Sequence, residues 1–149
     1  ATVFGAEEEA RMAALPASPV DLTTALITEA REELLPATAT ADFARFSASV
    51  YRFNRLSGEL FAAAQGGPYN GPAVTALVAR CRELGIVGVG QSSWGPTVFA
   101  AFENQTTAEE FVKCLRSDIS DNQLDAMITE PCNPGAIVRK GWAKTKPNF

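Results

Sequence analysis

The sequence has 149 residues, 46% of them hydrophobic and 20% charged, with a formal net charge of −4. This length and composition predict one soluble globular domain with its own core. The acidic balance argues against a nucleic-acid partner, which basic patches recognise, and no apolar run approaches the roughly 20 residues that a membrane-spanning helix needs.

Two residue types limit the chemistry of the chain. Histidine is absent, which removes the commonest general base, the commonest metal ligand and every Ser–His or Cys–His nucleophile pair. The three cysteines, Cys81, Cys114 and Cys132, are widely spaced and form no CxxC pair, so their pattern predicts no metal site. It favours free, buried thiols in a reducing, cytoplasmic setting.

The beginning of the chain is predicted to be helical. The stretch AEEEARMAAL, acidic and then apolar, indicates a short helix. In SPVDLTTALITEAREELL we expect Ser18 to cap a second helix, Pro19 to take its first position and Pro36 to end it. The apolar start ATVFG suggests a fragment whose upstream partner is missing, with Val3 and Phe4 as surface for association.

The stretch TADFARFSASVYRFNRLSGELFAAA predicts the main helix, with Thr40 as its cap. Its apolar residues recur at steps of three and four, which predicts one buried stripe: Phe43, Phe46, Val50, Phe53, Ser57, Leu60 and Phe61. Gln65, Gly66 and Gly67 are expected to end this helix. A further helix is predicted in PAVTALVARCRELG, with Val74, Leu77, Val78, Cys81 and Leu84 on its buried face.

Four strands are predicted in the remainder of the chain, in IVGVG, TVFAAFE, LDAMITEPC and AIVRKGW, with one amphipathic helix in TTAEEFVKCLRSDI. Together with the earlier helices they predict an α+β fold, an antiparallel sheet of about four strands with helices on one face. Helical residues should outnumber strand residues.

Some polar and small residues do not fit a plain core. Asn54 and Ser57 lie on or beside the apolar stripe, and Gly58 follows inside the same helix. Either Gly58 permits a close helix contact, or this part of the helix approaches a ligand.

The loop from Gly88 to Gly95, GVGQSSWG, is the strongest functional signal. Its glycines allow backbone N–H groups to turn inward, while Ser92, Ser93 and Gln91 add hydroxyl and amide donors. Such a cluster of donors suits an anion, above all phosphate. The neighbouring Trp94 either stacks on a ring or packs in the core.

The stretches FNRLSGELFAAAQGGPY (Phe53 to Tyr69) and GIVGVGQSSWGPTVFA (Gly85 to Ala100) resemble the beta-ribofuranosylaminobenzene 5′-phosphate synthase family. That family belongs to the superfamily of galacto-, homoserine, mevalonate and phosphomevalonate kinases (GHMP). The resemblance covers roughly residues 40 to 140 and places the glycine loop at the third motif of the superfamily.

The resemblance implies a ferredoxin-like sandwich of the GHMP C-terminal-domain type, with residues 1–149 as the C-terminal half of a two-domain protein. The kinases carry a nucleotide-binding loop and a catalytic acidic residue in an N-terminal domain, and nothing in this chain matches them. We therefore expect that domain as a partner, no cofactor and no identifiable catalytic residue in this half, and Mg²⁺ only in the full-length enzyme.

The implied reaction joins phosphoribosyl pyrophosphate to an amino- or hydroxybenzoate, with loss of CO₂ and pyrophosphate, in methanopterin-type C1-carrier biosynthesis. The resemblance assigns phosphate contact to Gly90, Gln91, Ser92 and Ser93, cavity lining to Asn54 and Gln65, and ring stacking to Trp94 or Tyr69. The remaining predicted ligand contacts are glycines of the two loops: Gly66, Gly67, Gly88 and Gly95.

Alternative functions remain open at this point. A GHMP-family small-molecule kinase is one, and a non-catalytic ligand-binding module is another. The sequence Gln91-Ser92-Ser93-Trp94 replaces the mostly glycine and alanine loop of the kinases, which favours the synthase. A homodimer is also allowed, since a domain separated from its partner exposes apolar surface.

Overall fold

A computed structural model of the chain describes residues 5–118 and 124–135, and the chain divides into two compact units between Ala108 and Glu109. The elements, in chain order, are helices α1 (Ala6–Ala13) and α2 (Val20–Thr28), a π-helical segment (Glu29–Leu34), helices α3 (Leu35–Ala39), α4 (Phe43–Glu59), α5 (Ala62–Gln65) and α6 (Gly71–Glu83), strands β1 (Val89–Gln91) and β2 (Val98–Ala100), and helix α7 (Gln105–Asp118). Helical residues outnumber strand residues, as predicted.

The sheet is smaller than predicted. Strands β1 and β2 pair antiparallel, with Val89 opposite Ala100 and Gln91 opposite Val98, and these two strands make up the sheet within residues 5–118 and 124–135. The third predicted strand, 124–132, is wrong because that segment has no strand structure. Its Met127 and Ile128 stay exposed, so the segment lacks the buried face that stabilises a strand. The fourth, 136–142, lies outside the described residues.

The second helical stretch continues past its predicted end. Pro36 stands in the first turn of α3 rather than stopping the helix, and the helical backbone runs from Val20 through the π-helical segment to Ala39. Proline cannot donate to the carbonyl of residue 32, but that carbonyl accepts from Arg45 Nη2 at 2.6 Å. A partner from α4 therefore replaces the missing helical hydrogen bond.

Two predicted helix caps are also corrected. Ser18 does not cap α2, because Pro19 holds the cap position and the Ser18 hydroxyl pairs with that of Thr23 at 2.7 Å. Thr40 does not cap α4: its hydroxyl donates back to Pro36 O at 3.0 Å. Asp42 caps α4 instead, since its Oδ1 accepts from Arg45 N at 3.0 Å.

The packing of α4 differs from the stripe that its apolar residues predict. The predicted stripe residues are half-buried, and the buried residues of the helix are Ser47 and Ser49. The face that packs most tightly therefore carries small side chains. In helix α6 three of the five residues predicted to be buried are buried, Val74, Val78 and Cys81, while Leu77 and Leu84 are half-buried.

The cysteines agree with the prediction in part. All three are free, but only Cys81 is buried, and Cys114 and Cys132 are exposed. Val3 and Phe4, expected to offer surface for association, lie outside the described residues. Within the described part of the chain, no helix is long and apolar enough to cross a membrane.

Candidate functional site

The site is built on the face of α4 that carries Ser47, Asn54 and Gly58. Steps of seven and four place these residues on one side of a helix. A Cβ atom on Gly88 would lie 3.1 Å from the Cα of Ser47, and one on Gly58 would overlap the carbonyl oxygen of Pro68. Small side chains thus allow β1 and the loop after α5 to approach the helix backbone closely. Of the two alternatives for Gly58, a close contact is present, but with the Pro68 backbone of a loop rather than with another helix.

Asn54 joins α4 to the end of β1. Its Nδ2 donates to Gln91 O at 2.9 Å, and its Oδ1 accepts from Gln91 N at 2.9 Å. Ser92 N donates to Thr97 O across the hairpin at 2.9 Å, so the backbone groups of Gln91 face away from β2 in the alternating antiparallel pattern. The Asn54 amide satisfies both of them, in the place where a further strand would bond.

The side chain of Gln91 is buried and links three segments. Its Oε1 accepts from Asn70 N at 2.6 Å, and its Nε2 donates to Ser93 O at 2.7 Å and to Gln65 Oε1 at 3.3 Å. Gln65 in turn donates from Nε2 to Gly58 O at 3.3 Å. We call Asn54, Gln65, Asn70 and Gln91 the amide network. Its members carry no charge, so their hydrogen bonds are insensitive to pH and salt over the physiological range.

Asn70 occupies the cap position of α6 but makes no side-chain capping bond. Its Nδ2 donates instead to the Trp94 carbonyl. Asparagine at this position commonly accepts from the N–H groups of the first turn, which stabilises a helix by about 1 kcal/mol. The side chain holds the glycine loop rather than its own helix.

The turn that the amide network holds runs from Gln91 to Thr97. Gly95 N donates to Ser92 O at 2.9 Å, and Ser93 and Gly95 adopt the positive φ angles of 50° and 68°. Ser92 and Ser93 are exposed. The hydroxyls of the turn are therefore available to solvent.

The glycines of the site serve different purposes. Gly90 faces Asn54 and Phe99 so closely that a Cβ atom would overlap the Asn54 amide. Gly66 ends α5 in the left-handed conformation, with its N–H donating to Ala62 O at 2.8 Å. Gly66 and Gly67 have φ angles of 82° and 151° and open space around them. Gly90 therefore permits contact, whereas Gly66 and Gly67 shape a turn.

The two aromatic residues predicted to stack on a ligand are buried. Trp94 is 3% exposed and meets the Phe61 ring edge-on at 5.0 Å. Tyr69 is 6% exposed, and burial, reinforced by the neighbouring Tyr51, raises the pKa of Tyr69 to about 12. The ring that reaches the surface of the site is Phe61.

A shallow depression lies between α4, the loop after α5 and the turn. It holds about 330 Å³ of space, part of which is open to solvent. Its lining carries no charged side chain and consists of Asn54, Ser57, Gly58, Phe61, Gln65, Pro68, Gln91 and Ser93. Any ligand here meets hydroxyls, amides, backbone groups and one aromatic ring.

The described residues around the depression do not form a suitable set of ligands for Mg²⁺. Among the described residues no three side chains of the metal-binding types come together, and the depression has no carboxylate. Magnesium is bound through carboxylates and substrate phosphates, so we assign it no residue here.

Thus the structure brings Asn54, Gln65, Gln91 and Ser93 together and exposes Ser92, but it buries Trp94 and Tyr69. Asn70 was missed, because an asparagine before Gly-Pro in GGPYNGP indicates only a turn or a helix cap. The family model described as "GHMP kinases C terminal" matches residues 26–121, nearly two thirds of the 149 residues. No curated protein and no solved structure matches the chain.

Proposed function

The chain belongs to the GHMP kinase C-terminal domain family, and from this we propose that it is the C-terminal, substrate-side half of a synthase resembling beta-ribofuranosylaminobenzene 5′-phosphate synthase. The parent enzyme would join phosphoribosyl pyrophosphate to 4-aminobenzoate or 4-hydroxybenzoate. The observation that carries the proposal is the exposed Ser92–Ser93 turn, held open beside the depression by a network of neutral amides.

The proposed reaction requires a surface that binds a negatively charged substrate. The bond between ribose C1′ and the pyrophosphate oxygen breaks, and the ring carbon that bears the carboxylate attacks C1′. The carboxylate then leaves as CO₂, and its bonding electrons return to the ring. The substrate carries several negative charges on phosphate oxygens, which neutral N–H and O–H donors bind well when the donors are already oriented.

The arrangement of the two quoted motifs supports the proposal. Asn54, Gln65 and Pro68 come from the first motif and meet the second at Gln91 and Ser93 around one depression. We assign phosphate contact to the Ser92 and Ser93 hydroxyls and to the Trp94 N–H of the turn. Asn54 and Gln65 line the depression and orient Gln91.

The aromatic acid would meet Phe61 rather than Trp94 or Tyr69. Phe61 lines the depression, while Trp94 supports the Phe61 ring from its buried side. Offset or edge-on contact between such rings contributes about 0.5–1.5 kcal/mol beyond area burial. We propose no catalytic residue within this half.

Apolar side chains on the first helices support a missing partner domain. Val20 and Ile27 of α2 and Leu35 of α3 are 78%, 47% and 61% exposed, and we propose that they form part of a contact surface. The proposed occupant is the N-terminal GHMP domain of the parent protein; a homodimer through the same helices is the alternative arrangement. The cytoplasm, where the three free cysteines stay reduced, is its proposed location.

The parent protein tests the synthase function directly. Incubated with phosphoribosyl pyrophosphate and 4-aminobenzoate or 4-hydroxybenzoate, it should release CO₂ and pyrophosphate in equal amounts. The Ser92→Ala/Ser93→Ala variant should raise the KM for phosphoribosyl pyrophosphate with the fold intact. Release of neither product overturns the synthase, and ATP-dependent phosphorylation of a sugar or alcohol would instead establish the kinase alternative.

A titration of this chain alone separates an incomplete site from an independent module. Isothermal calorimetry with ribose 5-phosphate should give negligible heat, because the other wall of the cleft belongs to the N-terminal domain. Tight binding by the isolated chain would favour the ligand-binding module and contradict the proposed half-site.

A further inference from the structure

We infer that Asn70 is a positioning residue. It holds the peptide groups of the glycine loop in the orientation in which an anion meets N–H and O–H donors and not carbonyl oxygens. The inference rests on the proposed phosphate-binding function of the turn. Asn70 itself would not bind the anion, because its backbone N–H donates to Gln91 and its Nδ2 group donates to Trp94 within the protein.

The first step is the direction of the carbonyls. The Ser93 carbonyl accepts from Gln91 Nε2 at 2.7 Å, and the Trp94 carbonyl accepts from Asn70 Nδ2. Both oxygens therefore point toward the amide network. A carbonyl oxygen aimed at an anion would repel it, so holding these two oxygens away is a requirement of the proposed site.

The second step follows from peptide geometry. A trans peptide is planar, and its N–H points opposite to its C=O; the cis bond of the turn is Gly95–Pro96, so the Ser93–Trp94 peptide is trans. Because the Ser93 oxygen faces the buried Gln91 amide, the Trp94 N–H faces the other way. The Trp94 N–H is therefore turned away from the Gln91 amide, and the two residues before it, Ser92 and Ser93, are exposed.

The third step is the position of Asn70. It bonds the turn twice: its N–H orients the Gln91 amide at 2.6 Å, and its side chain holds Trp94 O. It also packs against Gly95, where a Cβ atom would lie 3.4 Å from that of Asn70. One residue thus contacts the turn at Gln91, Trp94 and Gly95, and its side chain leaves α6 uncapped.

Asn70→Ser is the sharpest variant. Serine is as good a helix cap as asparagine, so α6 should keep its stability, but serine lacks the amide that reaches Trp94 O. Asn70→Asp is a second variant that keeps a capping residue, and its carboxylate would repel the Trp94 oxygen. The matched control is Asn104→Ala, since Asn104 Oδ1 accepts from Thr107 N at 3.0 Å and caps a helix outside the amide network.

The first readout is the turn itself, measured by NMR hydrogen exchange in this chain. The N–H groups of Gly95 and Ser92, which close the turn, should exchange at least about tenfold faster in Asn70→Ser and Asn70→Asp. They should be unchanged in Asn104→Ala. Unchanged exchange in both Asn70 variants overturns the positioning role, whatever the enzyme does.

The second readout is kinetic and uses the parent protein. Asn70→Ser should raise the KM for phosphoribosyl pyrophosphate about tenfold while kcat changes by less than about twofold, because the lost interaction orients binding groups. A loosened turn with an unchanged KM overturns the role in anion binding. Absence of synthase activity in the unaltered parent would defeat the proposed function, and the exchange result would still decide whether Asn70 positions the turn.

Discussion

Helix α4 holds its neighbours by different means on two faces. On one face Arg45 and Arg52 pair with Glu33 and Glu29 of the π-helical segment, each at 2.8 Å, and the arginine side chains are 41% and 45% exposed. On the other, Ser47, Asn54 and Gly58 meet β1 and the loops through close backbone approach and neutral hydrogen bonds.

The charged face of α4 therefore attaches a neighbouring segment, whereas the neutral face fixes the position of the strand and loops that it contacts. Ion pairs with arginines this exposed tolerate small displacements and are screened by salt, so they stabilise by a few tenths to about 1 kcal/mol, although the Glu29 side chain is itself only 13% exposed. A helix face that lacks side-chain volume fixes the distance to the next backbone, and a paired amide fixes direction. The candidate site lies on the second face, where a displacement of the turn would change which groups it presents.

The largest expected effect comes from adding one methyl group to the neutral face. Gly58→Ala places a Cβ atom against the Pro68 carbonyl oxygen, which is backbone and cannot rotate away. We expect a loss of about 3 kcal/mol or more in the free energy of unfolding, measured with urea. Helix propensity alone favours alanine by about 1 kcal/mol, so a more stable variant would contradict the close contact.

Gly66→Ala is the matched control for that substitution. A Cβ atom at Gly66 meets nothing within 4 Å, but the φ angle is 82°. The cost should be only the 1–2 kcal/mol, roughly, of placing an L-residue in the left-handed region.

The second largest effect is expected when the Asn54 amide is removed. Asn54→Ala leaves Gln91 N and Gln91 O without the partners that they now have at 2.9 Å. We expect a loss of about 2–3 kcal/mol, because unsatisfied part-buried backbone groups are costly. The control Asn104→Ala removes an exposed cap and should cost about 1 kcal/mol. Equal losses in both variants would show that the Asn54 amide contributes no more to stability than an exposed helix cap does.

These two expectations concern residues whose importance the sequence signalled only in part. Alternating and helical periodicity predicted most helices, strands β1 and β2, and the loop between them. Periodicity ranks residues by hydrophobicity, so it selected the half-buried phenylalanines of α4 and missed buried Ser47 and Ser49. Close approach of two backbones depends on small side chains, which carry no signal on a hydrophobicity scale.

The sequence indicated which types of residue form the site, but not the directions in which their side chains point. Asn54, Gln65 and Gln91 stood out as polar residues beside apolar ones, and the structure gathers them. Whether an amide bonds inward or faces a ligand depends on which backbone groups are unpaired around it. The inward Gln91 side chain and the role of Asn70 follow from the hairpin geometry, which no local pattern contains.

The charged face should give a smaller effect that salt removes. Arg52→Met keeps the length of the side chain and removes its pairs with Glu29 at 2.8 Å and Glu33 at 3.8 Å. The stability loss should be no more than about 1 kcal/mol in low salt and should largely disappear in about 1 M NaCl. A loss as large as that of Asn54→Ala at both salt concentrations would remove the distinction between the faces.

The same face predicts a pH dependence. The Arg52 guanidinium holds the pKa of Glu29 below 4.5 despite the opposing effect of burial, and Arg45 lowers the pKa of Glu33 likewise. Because the folded pKa values are depressed, their stabilisation is full above pH 4.5 and is lost as the pH falls through the lowered values. Thermal unfolding of Arg52→Met should show a weaker decline below pH 4.5 than the unaltered chain.

The smallest effect belongs to the exposed turn. Ser93 has a φ angle of 50°, so Ser93→Gly should be neutral or stabilise the chain by up to about 1 kcal/mol. Ser93→Ala keeps the strain and should change stability by less than about 0.5 kcal/mol. A loss of more than about 1 kcal/mol in Ser93→Ala would mean that the hydroxyl supports the fold rather than facing solvent.

The most direct test measures the hydrogen exchange of one backbone amide. Exchange of the Gln91 N–H, which donates to Asn54 Oδ1, can be measured by NMR in the unaltered chain, in Asn54→Ala and in Arg52→Met under conditions where all three are folded. The predicted result is slow exchange in the first and third and at least tenfold faster exchange in Asn54→Ala, about the effect of losing one such bond. Equal acceleration in both variants, or none in Asn54→Ala, would contradict the claim that the neutral face of α4 positions the loop.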